Sequence, residues 1–321
     1  MKEVIIIHGT EGSPKSNWFP WLKKELENFD CDIFIPKFPT PENQSLNKWL
    51  EEFDKIKTNI KEDTILIGHS LGPAFILSVL EQIDKPIKAA FLVAGFTGNL
   101  GNEHFDSLND TFVNKKFDWN KIKGNCKKFY VINSTNDPYV PIEKGEELAN
   151  NLDVDLVQLD NAGHINAESG YNTFEFLLDK IKKELYRETE SSGGVVLNKE
   201  GKVLVVSQHG TSWSLPKGHI EKGENQIESA KRETYEESGI TELEHISYLG
   251  NYQRYRLNKK GGIDETERKT IHIHSFKTNQ DILKPVDPEN PEAKWVDKEE
   301  VSNLLTHEAD REFFKKIINT I

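Results

Sequence analysis

Cysteine is nearly absent: the 321 residues contain two, Cys31 and Cys126. Two thiols cannot build a disulfide framework, and such sparing use fits a reducing compartment. Long apolar runs are also missing. The longest near the N-terminus, Val4 to Ile7, is too short for the core of a secretory signal or for a membrane span. A soluble, cytoplasmic chain with no membrane partner is expected. Basic charge is in deficit, with 41 Lys and Arg against 53 Asp and Glu and a net charge of −12. Residues 1–190 and 191–321 are each net acidic. A non-specific nucleic-acid binder needs a basic face, so duplex nucleic acid is not an expected partner. A small anionic substrate held through a metal ion remains compatible with acidic charge. Internal repeats and low-complexity segments are absent as well.

The length suggests two domains. Through the first half, short β-rich runs (Val4–Ile7, Asp32–Ile35, Thr64–Ile67, Ala89–Val93, Lys128–Asn133, Asp155–Leu159) alternate with helical patterns (Trp18–Phe29, Leu46–Ile60, Ala74–Ile83, Ile142–Leu152). That order implies βαβ units and an α/β fold with a mostly parallel sheet. An amphipathic helix over Tyr171–Tyr186 is expected to close this domain, residues 1–187. The polar run at 188–192 reads as a linker. The second domain, 193–321, reads as strands Gly193–Leu197, Val203–Gln208, His245–Arg256 and Lys269–Lys277 in a mixed sheet, with helices at 225–238 and Glu308–Ile318.

The most specific pattern lies in the second domain. Gly218 is followed after five residues by Glu224, seven residues later by Arg232-Glu233, then by Glu236-Glu237 and Gly239-Ile240. Residues 225–238 lack Gly and Pro, so they form a helix on which Glu233, Glu236 and Glu237 share one face. Like charges at that spacing repel by a few tenths of a kcal/mol each. A bound Mg²⁺ or Mn²⁺ would remove the repulsion, and carboxylate oxygens are the ligands such hard cations prefer. Arg232 is placed to orient a carboxylate, Gly218 to let the backbone approach metal or phosphate, and Gly239 to end the helix in a left-handed cap. The spacing resembles the Nudix box, which cuts pyrophosphate bonds in nucleoside diphosphates linked to another group. Thr234 departs from it, standing where a large aliphatic residue is usual.

That resemblance implies an α/β/α sandwich over about 192–320. It makes Glu236 and Glu237 the main metal ligands, with Gly218 contributing, and Glu233 a ligand or base. Glu292 is the candidate additional carboxylate. The run Trp213-Ser214-Leu215-Pro216-Lys217-Gly218-His219 is similar to the subgroup acting on dinucleoside polyphosphates. It implies that Lys217 contacts a phosphate, and Tyr252 and Tyr255 are candidates to stack on a base.

The first domain carries Gly68-His69-Ser70-Leu71-Gly72 between a strand and a helix, the context of a nucleophile elbow. Asp137 follows the strand ending near Asn133, and His164 follows the one ending near Leu159. Ser, Asp, His is the chain order of α/β-hydrolases. Ser70 is then the nucleophile, His164 the base and Asp137 its orienting group. Gly9 and Thr10, just after the first strand, and Leu71 are candidates for the oxyanion hole. Pro73 restricts Gly72 beside the elbow. Together with HGTEGSPKSNWFPWLKKEL, STNDPYVP and NAGHINAESGY, these motifs resemble small serine hydrolases related to retinoblastoma-binding protein nine, over roughly 2–185. That family implies an α/β-hydrolase core with little or no lid and activity on simple esters, without a cofactor.

The sequence therefore points to a bifunctional hydrolase acting on small molecules. One alternative is that one domain catalyses and the other serves as scaffold, nucleotide sensor or partner-binding module. One molecule bearing both bonds, an acylated nucleotide such as O-acetyl-ADP-ribose, would join the two chemistries.

Overall fold

The computed structural model describes residues 2–56, 60–208, 210, 212–258 and 260–321. The chain divides into two compact units, Met1–Glu184 and Leu185–Ile321.

In the first unit the strands β1 (Lys2–Ile7), β2 (Cys31–Phe34), β3 (Ile65–His69), β4 (Ala89–Val93), β5 (Phe129–Ser134) and β6 (Leu156–Leu159) form one sheet in the order β2-β1-β3-β4-β5-β6. Every pairing in it is parallel. Val4 to Ile7, Ile65 to Ile67 and Ala89 to Val93 are buried without alternation, as strands covered on both faces require. The intervening helices are α1 (Phe19–Glu27), α2 (Leu46–Asp54), α3 (Gly72–Leu80), α4 (Glu103–Val113), α5 (Trp119–Gly124), α6 (Ile142–Asn151) and α7 (Glu175–Leu185). The core joins α3 to Trp49, Phe53, Phe38 and Phe112. Because β1 and β3 are neighbours, the strand order reverses there, and the loops after them meet at the carboxyl edge where ligands of open α/β sheets bind.

In the second unit β7 (Arg187–Leu197), β8 (Val203–Gln208), β9 (Ser212–Ser214), β10 (Lys217–His219), β11 (Glu244–Leu257), β12 (Ile263–Lys277) and β13 (Ala293–Val296) form a seven-stranded mixed sheet. β7 and β12 run parallel, and the remaining pairs are antiparallel. Helix α8 (Gln226–Ser238) covers one face, packing with Val196, Leu204, Val206 and Phe276. Helices α9 (Lys298–Leu304) and α10 (Glu308–Ile317) cover the other, over Val195, Val203, Val205, Ile271 and Ile273. Adjacent residues of β7 and β8 thus point to opposite layers, giving the expected α/β/α sandwich.

The structure departs from the sequence reading in several places, with β9, β10, β13 and α9 among the elements not foreseen. Residues 188–192, expected to be a linker, lie within β7, with Glu188 to Ser192 paired to Arg268 to His272 of β12. They lack an apolar pattern because this end of the strand is held by ladder bonds and by polar pairs such as Arg187 and Thr189 on Glu267. Helix α7 begins at Glu175 rather than Tyr171, because Asn166 caps a single 3₁₀ turn (Ala167–Ser169) that Gly170 closes in the left-handed conformation. Helices α4 and α5 were not foreseen. Their apolar stripes are sparse, and side-chain caps start them: Asn102 accepts from the N–H of His104 and Phe105, and Asp118 from Lys121.

Candidate active sites

The elbow places Ser70 between β3 and α3 at φ 61°, a left-handed backbone unusual for a serine. The Ser70 N–H donates to the Val93 carbonyl of β4 at 2.9 Å, which ties the turn to the sheet. Its glycines are contact requirements: a Cβ on Gly68 would lie 2.6 Å from the Gly72 carbonyl carbon, and one on Gly72 2.6 Å from the Ile7 oxygen. Gly9 presses on Ser70 itself, since a Cβ there would sit 2.6 Å from Ser70 Cβ.

The loop after β5 brings Asp137, whose Oδ1 accepts from the N–H of Tyr139 (2.9 Å) and Val140 (3.0 Å). Its Oδ2 lies 2.7 Å from His164 Nδ1, and the Asp137 side chain is fully buried. Since Nδ1 is taken by Asp137, Nε2 is the ring nitrogen left for a reacting group. His164 shares with Ser70 a cavity of about 260 Å³, lined also by Gly9, Thr10, Phe96, Phe105, Tyr139 and Val140. Among the described residues Ser70 Oγ has no hydrogen-bond partner, and the N–H groups of Thr10 and Leu71 have no acceptor. His69 lines the same cavity: its Nε2 meets the His164 carbonyl at 2.9 Å, and burial pulls its pKa down to about 3. Burial lowers the pKa of His8 too.

The second site is organised by Arg232. Its guanidinium reaches Glu224 (Nε to Oε1, 2.7 Å), Glu233 (Nη1 to Oε1, 2.6 Å) and Glu236 (Nη1 to Oε2, 3.1 Å), and donates to the His219 carbonyl at 2.9 Å. Those Arg232 bonds pull the Glu224 pKa down to about 2. Helix α8 starts with a capping box, Asn225 with Glu228, and ends at Gly239, φ 78°, where a Cβ would meet the Lys284 carbonyl oxygen at 2.3 Å. Gly218 is packed against Glu233, whose carboxylate lies 2.1 Å from where a Cβ would stand. Thr234 is buried against the scaffold and donates to the Ala230 carbonyl at 2.7 Å, which satisfies the hydroxyl that replaces an aliphatic side chain.

Glu237 is 3 % exposed and accepts from the Lys217 N–H at 3.0 Å. Burial pushes its pKa up to about 8, against the opposing pull of Lys217. Burial also raises Glu233. Among the described residues no three His, Cys, Asp or Glu side chains are gathered closely enough to hold an ion. The donor set nevertheless suits a hard divalent cation: three carboxylates on one helix face, one of them held in the interior with nothing to neutralise it but Lys217. Glu233 and Glu236 are turned onto Arg232 and must leave it to become ligands.

Beside the box lies a cavity of about 510 Å³ lined by Arg187, Lys217, His219, Arg254, Arg256, Lys260 and Lys269. Two buried carboxylates hold these cations. Glu267 is completely buried and meets Arg187 Nη2 (2.6 Å), His219 Nε2 (3.1 Å), Arg256 Nη1 (3.5 Å) and Lys269 Nζ (3.8 Å). Burial works against its ionisation, but His219 and Arg187 outweigh it and hold the carboxyl low. Asp310 of α10 meets Arg254 Nε (2.9 Å) and Lys217 Nζ (3.5 Å). Burial pulls the Lys269 pKa down to about 8.

Several expected site residues stand elsewhere. Tyr252 is not free to stack on a base: its ring packs on Phe313 and its hydroxyl donates to Asp310 at 2.8 Å. Tyr255 alternates with the cavity-lining Arg254 and Arg256, so it faces the other side of β11, 42 % exposed. Glu292 is exposed, and its backbone carbonyl accepts from Ser207. Lys217 does line the cavity, buried with Asp310 and the Ser214 hydroxyl. Sequence reasoning missed Glu267, Asp310 and the arginines. The available signal was basic residues at period two in β11, Arg254 and Arg256, on the inward face of a strand.

A family model for serine hydrolases matches residues 4–183, and a NUDIX domain model matches residues 188–317. YdeN of Bacillus subtilis (strain 168), a protein named as a hydrolase, is 33% identical over 190 residues, covering 59% of this chain and 98% of YdeN. The serine hydrolase RBBP9 of Rattus norvegicus is 29% identical over 167 residues, 50% of this chain and 86% of RBBP9. On the other side, an RNA pyrophosphohydrolase of Pelagibacter ubique (strain HTCC1062) is 32% identical over 124 residues, 35% of this chain and 78% of that protein. The crystal structure of the ydeN gene product from B. subtilis superposes with a TM-score of 0.54 at 31% identity, over 57% of this chain and 98% of that one.

Proposed function

The chain belongs to the serine hydrolase family over residues 4–183 and carries a NUDIX domain over residues 188–317, and from that premise we propose a hydrolase with two separate active sites. The first is a Ser70-His164-Asp137 esterase. Ser70 Oγ attacks an ester carbonyl carbon while its proton passes to His164 Nε2. Asp137 holds the imidazole through Nδ1, and the N–H groups of Leu71 and of Gly9 or Thr10 receive the oxyanion. The alcohol leaves with the proton from His164, and water then releases the acyl group from Ser70 by the same route. The 2.7 Å contact between His164 and Asp137 beside a half-buried serine at positive φ carries this reading.

The second site is a Mg²⁺- or Mn²⁺-dependent pyrophosphohydrolase acting on a nucleoside polyphosphate or a similar phosphate chain. Glu233, Glu236 and Glu237 are the residues to hold the cation, which when bound supplies charge neutralisation and an activated water. Arg232 bridges Glu233 and Glu236, and Gly218 leaves room for Glu233. The cations of the adjoining cavity orient the phosphates, fixed in place by Glu267 and Asp310. That basic cavity against the box carries the choice of a phosphate-rich substrate. The name of the Pelagibacter relative adds a 5′-triphosphorylated RNA end to the substrates worth testing.

The test is one incubation with Mg²⁺ and a panel of dinucleoside tetraphosphate, ADP-ribose, nucleoside triphosphates and a 5′-triphosphorylated oligoribonucleotide. Products are read by mass spectrometry beside a Glu236→Gln control. In parallel a fluorophosphonate probe is applied to wild type and Ser70→Ala. Cleavage lost in Glu236→Gln and labelling lost in Ser70→Ala support the two sites. Failure of either leaves that unit as scaffold or binding module.

A further inference from the structure

The two cavities differ in charge. The phosphate-side cavity is lined by six lysines and arginines, whereas the Ser70 cavity is lined by no lysine or arginine and by two carboxylates, Glu11 and Glu168. Of the three histidines within it, burial lowers the pKa of His8 and His69, and His164 is paired with Asp137.

The two carboxylates are placed by the catalytic loops themselves. Glu11 sits two residues after Gly9, in a turn closed by the Gly12 N–H on the Gly9 carbonyl, and its own N–H donates to Thr40 Oγ1 at 2.7 Å. Glu168 sits four residues after His164, on the 3₁₀ turn capped by Asn166 and pinned by the Ala167 N–H on Asn17 Oδ1. One acidic group therefore stands on the oxyanion loop and the other on the histidine loop. His104, 3.1 Å from Glu11, is the titratable group in contact with either.

We propose that Glu11 and Glu168 make the serine site select esters with uncharged acyl groups and reject anionic ones, including acylated nucleotides. The proposal rests on Ser70 being an esterase nucleophile. An anionic substrate would approach two like charges in a site without a compensating cation. At about 6 Å in water the two repulsions together disfavour one negative charge about tenfold at low salt. An acylated nucleotide is then a disfavoured substrate of the serine site.

The experiment compares p-nitrophenyl acetate with the mono-p-nitrophenyl ester of succinic acid, at roughly pH 8, where imidazole is ordinarily neutral. Spontaneous hydrolysis, which the succinyl ester's own carboxylate accelerates, is subtracted from each rate before kcat/KM is taken. The full-length wild type, Ser70→Ala and a Glu11→Gln/Glu168→Gln double variant are measured at low and high salt. The expected result is a preference of about tenfold for the acetyl ester, reduced at least threefold both in the double variant and by salt. Equal efficiency on both esters, or a preference that neither the double variant nor salt changes, overturns the charge selection while leaving the esterase intact. No turnover of the acetyl ester, or turnover that survives Ser70→Ala, overturns the esterase reading and this proposal with it.

Discussion

Gly218→Ala separates the chemistry of the box from its stability. Gly218 is not among the residues with positive φ, so alanine can adopt its backbone without strain. All the cost then comes from one contact, because the new Cβ would fall 2.1 Å from the Glu233 carboxylate. That carboxylate is the movable end of a side chain, so it gives way rather than the sheet. Moving it breaks the 2.6 Å bond to Arg232, between side chains 23% and 13% exposed. A charge-assisted bond of this kind is worth about 1.5–3 kcal/mol net. Arg232 keeps Glu224 and Glu236, so the expected loss is at the lower end, about 1–2 kcal/mol. For a unit of this size that lowers Tm by roughly 3–6 °C. Glu233 is at the same time displaced from its role as ligand or base, which should reduce Mg²⁺-dependent turnover about 100-fold or more. Calorimetry of the full chain and turnover of the best panel substrate test both numbers. Turnover within a few-fold of wild type would refute the assignment of Glu233. A loss of Tm above roughly 10 °C would refute the argument that only a side chain yields.

Asp137→Asn should preserve the fold and the N–H bonds at Oδ1 but leave His164 in the wrong tautomer, lowering esterase kcat about 10³–10⁴-fold, read with p-nitrophenyl acetate. Lys269 titrates near 8, so it is charged below that pH and neutral above it. KM for a polyphosphate should therefore rise as pH climbs through about 8 to 9, and Lys269→Gln should flatten that rise in a steady-state pH series. Gly239→Ala places a Cβ 2.3 Å from a backbone oxygen at φ 78°. It should destabilise the second unit by about 2 kcal/mol or more, seen as an earlier unfolding transition with the Ser70 probe still reacting.

Legibility in the sequence followed how locally each feature is encoded. The box and the elbow were readable because helix period, glycine requirements and strand–turn–helix order fix Glu233, Glu236, Ser70 and Gly239 within a few residues of one another. The Asp137 and His164 loops were readable because a parallel sheet returns successive strand ends to one edge. Glu267 and Asp310 were not readable. Each is buried through partners 80 or more positions away in Arg187 or more than 50 away in Arg254, and nothing near them in the chain signals this. The same reason misled the reading of 188–192. A polar segment looks like a linker until the strand that supplies its partners is known. Tyr252 looked available for a ligand, since a strand aromatic carries no mark of which face it occupies.

At Ser70 the backbone adopts a conformation that glycine would occupy freely and serine occupies at a cost of about 1 kcal/mol or more. Ser70→Gly would relax the elbow and spoil nothing else in the sheet. A chain using this unit only as a scaffold would thus gain by exchanging the residue proposed as the esterase nucleophile. The hydroxyl stands at a cost to the fold, as the esterase role proposed for it requires.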